Sequence, residues 1–125
     1  MAKIQAKTET NKGARIVGKS LTKNVRCGPR KVKMVVDLIR YKTAGEALDL
    51  LTFTQRPSAV PYVQRALKAA VASAAQVHPE PEKLVIGEAI VNTAPMMKRI
   101  RPASMGRAVR VRKRQTHLFL ALTEA

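Results

Sequence analysis

The stretch that most restricts the fold is an acid-free segment near the C-terminus. Asp and Glu are absent from Ala89 to Thr123, yet residues 95–117 carry eight cations. These are Lys98, Arg99, Arg101, Arg107, Arg110, Arg112, Lys113 and Arg114. A segment with so many like charges and so few apolar residues cannot build a core of its own. It needs a polyanion to lie against.

The flanks of this segment have the pattern of two β-strands. Residues 84–91 form a β-rich apolar run, and Val109–Arg112 alternates with a period of two residues. Leucines alternate again in residues 118–122, so the bases of both arms are apolar and can pack on a body. We therefore predict a long β-hairpin over about residues 84–122, reaching roughly 30 Å. Two prolines and a glycine indicate an irregular tip at about 95–106.

The charge is concentrated towards both ends of the chain. Of the 24 Lys and Arg residues, twelve lie in residues 1–42 and eight in the acid-free segment, so the middle third is nearly neutral. The net charge of +16 favours an anionic partner, and the aromatic content of 3% argues against stacking platforms for single strands. These features favour phosphate and shape recognition of a folded nucleic acid.

The length of 125 residues suggests one domain. Residues 1–13 are polar and basic, and they fit either a flexible tail that orders on a partner or a dispensable extension. Residues 14–125 form the predicted domain. The single cysteine, Cys27, rules out an internal disulfide and fits a reducing compartment. We find no apolar run of membrane-spanning length and no secretory signal.

Three helices are predicted after an extended segment at residues 14–26. The first begins at Gly28-Pro29 and buries an apolar stripe from Val32 to Ile39. The second follows a capping box formed by Thr43 and Glu46 and ends near residue 53. The third begins around residue 61 and runs to about 77, with an alanine-rich stripe that allows close packing.

The exposed face of the first helix has two interpretations. It is either a solvated face with a Lys33–Asp37 ion pair, or a face on which Arg30, Lys31 and Lys33 meet phosphate. The net charge favours the second interpretation.

The sequence contains no catalytic set. His78 and His117 are the only histidines, and no cysteine–histidine spacing typical of a metal site occurs. We therefore expect no cofactor and no metal. Near the tip, Met96, Met97 and Met105 fit flexible apolar wedges and simple packing equally well.

Several segments resemble the bacterial ribosomal protein L twenty-two family. The resemblance covers roughly residues 14–123 and includes all three predicted helices. Its most specific part is the hairpin, with Met97-Lys98-Arg99-Ile100, then Gly106-Arg107-Ala108, then Lys113-Arg114-Gln115-Thr116-His117. The chain departs from the family at Tyr41, where glycine is usual, and at Ala103-Ser104-Met105, where the segment is commonly more basic.

The resemblance implies an α+β fold of three helices packed on a small antiparallel sheet with a long protruding β-hairpin. It implies a structural constituent of the large ribosomal subunit, without enzymatic activity, in the cytoplasm. Its partners would be large-subunit ribosomal RNA, neighbouring ribosomal proteins and the nascent peptide. No membrane and no homo-oligomer are expected.

The charge pattern and the resemblance together predict two sets of site residues. The RNA-binding set is Lys19, Arg26, Arg30, Lys31, Lys33, Arg40, Lys98, Arg99, Arg101, Arg107, Arg110, Arg112, Lys113, Arg114 and His117. The tip, which would help line the nascent-peptide exit tunnel, comprises Met96, Met97, Lys98, Arg99, Ile100 and Arg101.

Two other functions remain open at this point. A basic architectural protein that binds DNA would also use a charged ribbon, with apolar wedges and a bent duplex. A small basic enzyme would need a convergent acid–base cluster, which the sequence lacks.

Overall fold

A computed structural model describes residues 15–124 and shows three helices with a three-stranded antiparallel sheet. The α+β architecture is therefore confirmed. The elements are β1 (Ile16–Val25), α1 (Pro29–Ile39), α2 (Ala44–Phe53), α3 (Val60–Ala75), a 3-10 turn (Pro81–Lys83), β2 (Val85–Pro102), a second 3-10 turn (Ser104–Gly106) and β3 (Ala108–Thr123). The predicted N-terminal tail lies outside the described residues.

Helix α1 begins and ends where its local sequence requires. Gly28 is the extended N-cap, and Pro29 fills the first helical position, where the missing N–H is not needed. The predicted apolar stripe from Val32 to Ile39 is buried. The helix stops before Tyr41, whose φ of 63° lies in the left-handed region. That conformation favours glycine after a helix end, so a tyrosine at this position is strained.

The neutral middle of the chain supplies most of the helical core. The Thr43 hydroxyl accepts a hydrogen bond from the Glu46 N–H at 3.4 Å, so the N-cap of α2 forms as predicted. Helix α3 buries five residues along one stripe: Val63, Ala66, Leu67, Ala70 and Ala74. It ends at Ala75, slightly short of the predicted end. Burying a residue the size of leucine contributes about 1.5–3 kcal/mol, so this stripe is a major part of the core.

Small residues let α3 lie unusually close to β1. A Cβ atom on Gly18 would sit 2.6 Å from the Ala70 carbonyl oxygen and 2.6 Å from the Ala74 Cβ. The buried Ser20 hydroxyl donates to the Ala66 carbonyl at 2.8 Å. Helix and strand are therefore in backbone contact, and only glycine fits at position 18.

The sheet has the order β1-β3-β2, so the C-terminal strand is central. Three alternating leucines of β3, Leu118, Leu120 and Leu122, are fully buried against the helices. The outer edge of β2 is covered at its base, because the Tyr41 N–H donates to the Ile86 carbonyl and the Ile86 N–H donates to the Lys42 carbonyl. This cover protects a strand edge that could otherwise pair with a strand of another chain.

The hairpin is confirmed, but its irregular tip is shorter than predicted. We expected irregular backbone at about 95–106, whereas the β2–β3 ladder continues to the pair Pro102↔Ala108. Pro95 lies at a register shift between Ala94 and Met97, where one strand gains a residue and a missing N–H is tolerated. Pro102 is accommodated because β2 is an edge strand. Only residues 103–107 form the turn.

The ion pair that belongs to the solvated-face interpretation of α1, Lys33–Asp37, is not the one observed. The Asp37 carboxylate lies 3.9 Å from Nη2 of Arg40, three residues along the chain, and no ion pair joins it to Lys33 in the described part of the chain.

None of the helices within residues 15–124 has the length and apolar character needed to cross a membrane.

Candidate nucleic-acid interface

Beyond the pair Thr93↔Thr116 the hairpin continues as a two-stranded ribbon. Strand β1 makes its last pair, Val25↔Thr116, at this level, so no third strand supports the ribbon further out. The ladder then runs from Ala94↔Gln115 to Pro102↔Ala108. With nine residues of β2 in this part, the ribbon reaches roughly 30 Å at 3.3 Å per residue. Seven of the eight predicted hairpin cations lie on the paired strands and Arg107 lies in the turn at their end; all eight are exposed.

The pairing register distributes these cations over both faces of the ribbon. Directly paired residues share a face, and neighbours along a strand alternate. The face that continues the helix-covered side of the sheet carries Lys98, Arg110, Arg112 and Arg114. The opposite face carries Arg99, Arg101 and Lys113. In residues 15–124, the carboxylates form ion pairs with Arg40 and Lys83 only, so the ribbon's charge is not neutralised within the described structure. A ribbon that is basic on both faces fits an anion on either side.

A groove of about 380 Å³ opens where the ribbon leaves the body. Its body wall consists of Arg26, Cys27, Gly28, Lys31 and Ser58, the last from the loop before α3. Its hairpin wall consists of residues 112–115 and Met97. No carboxylate from the described residues lines it. The groove therefore joins basic residues that are about 85 positions apart in the sequence.

Hydrogen bonds to β3 fix the segment that forms the body wall. The buried Thr116 hydroxyl donates to the Cys27 carbonyl at 2.6 Å, and the Asn24 N–H donates to Nδ1 of His117 at 3.2 Å. Asn24 has a φ of 54° and lies in the register shift between Thr22 and Val25. Asparagine tolerates this left-handed conformation better than most residues. The bulge carries the chain from the sheet to the start of α1.

Comparison with known proteins decides what kind of molecule carries this surface. The family profile described as Ribosomal protein L22p/L17e matches residues 20–123. The chain belongs to this ribosomal protein family. It is also 47% identical over 107 residues to the large ribosomal subunit protein uL22 of Oceanobacillus iheyensis, covering 85% of this chain and 94% of that protein.

Membership of the ribosomal L22p/L17e family identifies a structural protein of the large ribosomal subunit, which acts in translation in the cytoplasmic ribosome. It decides against the architectural DNA-binding alternative. The described residues contain no group of three His, Cys, Asp or Glu side chains that could hold a metal ion.

Most predicted RNA-binding residues of the body are free to meet a partner. Arg26, Arg30, Lys31 and Lys33 are exposed around the first half of α1. Lys19 is also exposed, but it alternates with the helix-covered Gly18 and Ser20, so it lies on the other face of the sheet. The structure thus brings Arg26 and Lys31 together with the hairpin and leaves Lys19 apart from them.

Two predicted RNA-binding residues have partners inside the protein. Nη2 of Arg40 donates to the Ala89 carbonyl at 2.7 Å, its Nε is buried, and its side chain is only 36% exposed. His117 is half-buried, and its Nδ1 accepts the Asn24 N–H. That bond makes Nε2 the protonated nitrogen of a neutral ring, which can act only as a hydrogen-bond donor to a partner.

The predicted tunnel-lining residues differ in where they lie. Met97 is half-buried at the groove, whereas Ile100 is 75% exposed further out. The outermost apolar side chain is Met105, which is 92% exposed in the turn with a φ of 59°. The turn is closed by a hydrogen bond from the Ala103 N–H to the Arg107 carbonyl at 2.8 Å. Met96 to Arg101 therefore form the shaft of the ribbon, and residues 103–107 form its end.

Sequence reasoning missed the groove and the residues that hold it in place. Ser58 and Gln115 line it, and Asn24 and Thr116 fix its body wall. Only Asn24 had a local signal, because asparagine after a β-run favours a left-handed turn residue. The other three become recognisable only when the strand register is known.

Proposed function

We propose that this large-subunit ribosomal protein binds ribosomal RNA chiefly through the distal ribbon and the first half of α1. The observation that carries the proposal is a two-stranded ribbon with cations on both faces and no carboxylate from Ala89 to Thr123. Such a ribbon has no third strand to rest on, and RNA on both sides supplies the missing support.

The mechanism is electrostatic. Arginine forks donate pairs of hydrogen bonds to phosphate oxygens, and each contact releases counterions from the RNA. Neutralised phosphates repel one another less, so the ribbon allows RNA segments to pack around it. This supports a role in subunit assembly.

The end of the ribbon has a second proposed role. Because it is about 30 Å from the body, the tip can reach into an RNA-walled passage while the body remains outside it. The family resemblance supports a tip that helps line the nascent-peptide exit tunnel, with residues 96–101 approaching that wall and the nascent peptide passing the end. We propose no enzymatic activity and no homo-oligomer.

A salt titration tests the RNA-binding proposal. With about six phosphate contacts, binding of the full chain to large-subunit ribosomal RNA should weaken roughly a thousandfold between 50 and 200 mM salt. Filter binding measures this slope. Duplex DNA of equal length serves as competitor, and RNA should be preferred. A nearly flat slope, or equal binding of DNA, would contradict the proposal.

A further inference from the structure

We propose that the groove between α1 and the ribbon holds one continuous stretch of RNA backbone, bound from both walls. Arg26 and Lys31 bind it from the body, and Arg112 and Arg114 bind it from the hairpin. The inference rests on the proposed RNA-binding function. It adds the location at which a single RNA segment contacts both the body and the hairpin.

The first step is the direction of the hairpin cations. Residues alternate along β3, and Thr116 lies buried on the helix-covered face. Arg114 and Arg112, two and four positions further out, are on the same face. They therefore extend from the side of the ribbon that the body overhangs, and both line the groove.

The second step is that the two walls are held at a fixed spacing. The Thr116 hydroxyl binds the Cys27 carbonyl, so the body wall is attached to β3 only two residues from Arg114. The His117–Asn24 hydrogen bond adds a second attachment on the same strand. The inner part of the groove, around Arg114 and Gln115, is thus held in place before any ligand arrives, and a preorganised site loses less entropy on binding.

The third step is charge. Five exposed cations line the groove, namely the four named above and Lys113, and none of the carboxylates in residues 15–124 lines it. Like charges at this spacing repel, and an anion between them changes that repulsion into attraction from both walls. A phosphodiester chain fits because it presents a charge at each nucleotide. A single backbone would then fix the angle at which the ribbon leaves the body.

The test uses hydroxyl-radical footprinting of large-subunit ribosomal RNA by the full chain. Arg26→Gln changes the body wall and Arg114→Gln the hairpin wall, and both side chains are exposed, so folding is preserved. Each variant should remove protection from the same contiguous nucleotides and reduce the salt slope by about 0.9. Arg65→Gln, an exposed cation on α3 outside the groove, is the matched control and should change neither.

The outcomes separate this inference from the proposed function. Loss of protection at two different stretches in the two variants would overturn the groove, while RNA binding itself would stand. Unchanged protection in both variants would overturn it as well. Absence of any salt-dependent binding by the unaltered chain would overturn both proposals.

Discussion

Arg40 shows how one residue's environment decides the use of its charge. Its guanidinium joins the end of α1 to the outer edge of β2 through the Ala89 carbonyl, and the Asp37 carboxylate lies 3.9 Å away. Arg30, on the same helix, is exposed. The two side chains are chemically identical, yet we propose that Arg40 stabilises the base of the hairpin and that Arg30 binds RNA.

This assignment predicts opposite effects for two alanine substitutions. Arg40→Ala should lower the free energy of unfolding by about 1–2 kcal/mol, because a charge-assisted hydrogen bond is lost, and should leave the salt slope of RNA binding unchanged. Arg30→Ala should leave stability unchanged and reduce the slope by about 0.9. Urea unfolding and filter binding measure the two quantities. If Arg40→Ala behaves like Arg30→Ala, Arg40 is a phosphate contact after all.

At the scale of the element, the hairpin has two parts: one packs on the rest of the protein and the other does not. Up to about Thr93 its strands lie in the sheet and carry buried leucines, whereas from Ala94 to Pro102 the ladder has solvent on both faces. A two-stranded ribbon is marginally stable by itself. Cations repelling one another across and along the two strands lower its stability further.

Amide hydrogen exchange should therefore divide the hairpin at this level. In the isolated chain at low salt, amides of residues 97–113 should exchange rapidly, while those of residues 118–122 should be protected by the core. Adding large-subunit ribosomal RNA should slow exchange in the distal part. Mass spectrometry after timed deuteration resolves both segments. Slow exchange of residues 97–113 without any polyanion would show that the ribbon does not depend on RNA.

At the scale of the whole molecule, folding and RNA binding use different residues. The buried core contains no residue between 95 and 114, although those twenty positions hold eight of the 24 cations. The body should therefore fold without the distal ribbon.

Shortening the hairpin tests this separation. Replacing residues 95–114 by Asn-Gly would join the paired residues Ala94 and Gln115 through a two-residue turn. The shortened chain should keep its thermal midpoint within a few degrees, yet bind RNA with a markedly smaller salt slope. Circular dichroism and filter binding provide the readouts. A large drop in the midpoint would place part of the core in the ribbon.

The helices and strands could be predicted from the sequence, but the groove between α1 and the ribbon could not. Periodicity located three helices and both hairpin arms, because burial of one face leaves a repeating pattern. It overestimated the tip, because Pro95 and Pro102 are breakers in most contexts but are tolerated at a bulge and on an edge strand. It could not show that Arg26 lies near Arg114, since that proximity depends on strand register and on one hydrogen bond from Thr116.

The cover over the outer edge of β2 stops near Ala89, where Arg40 makes the last described contact. Further out, the strand offers unpaired backbone groups to its surroundings, and a second copy of the chain could dock there as an extra strand. Mutual repulsion among the ribbon cations keeps copies apart in dilute buffer, but concentrated salt screens it. Stocks of the purified protein therefore risk self-association under the same ionic conditions that release it from RNA.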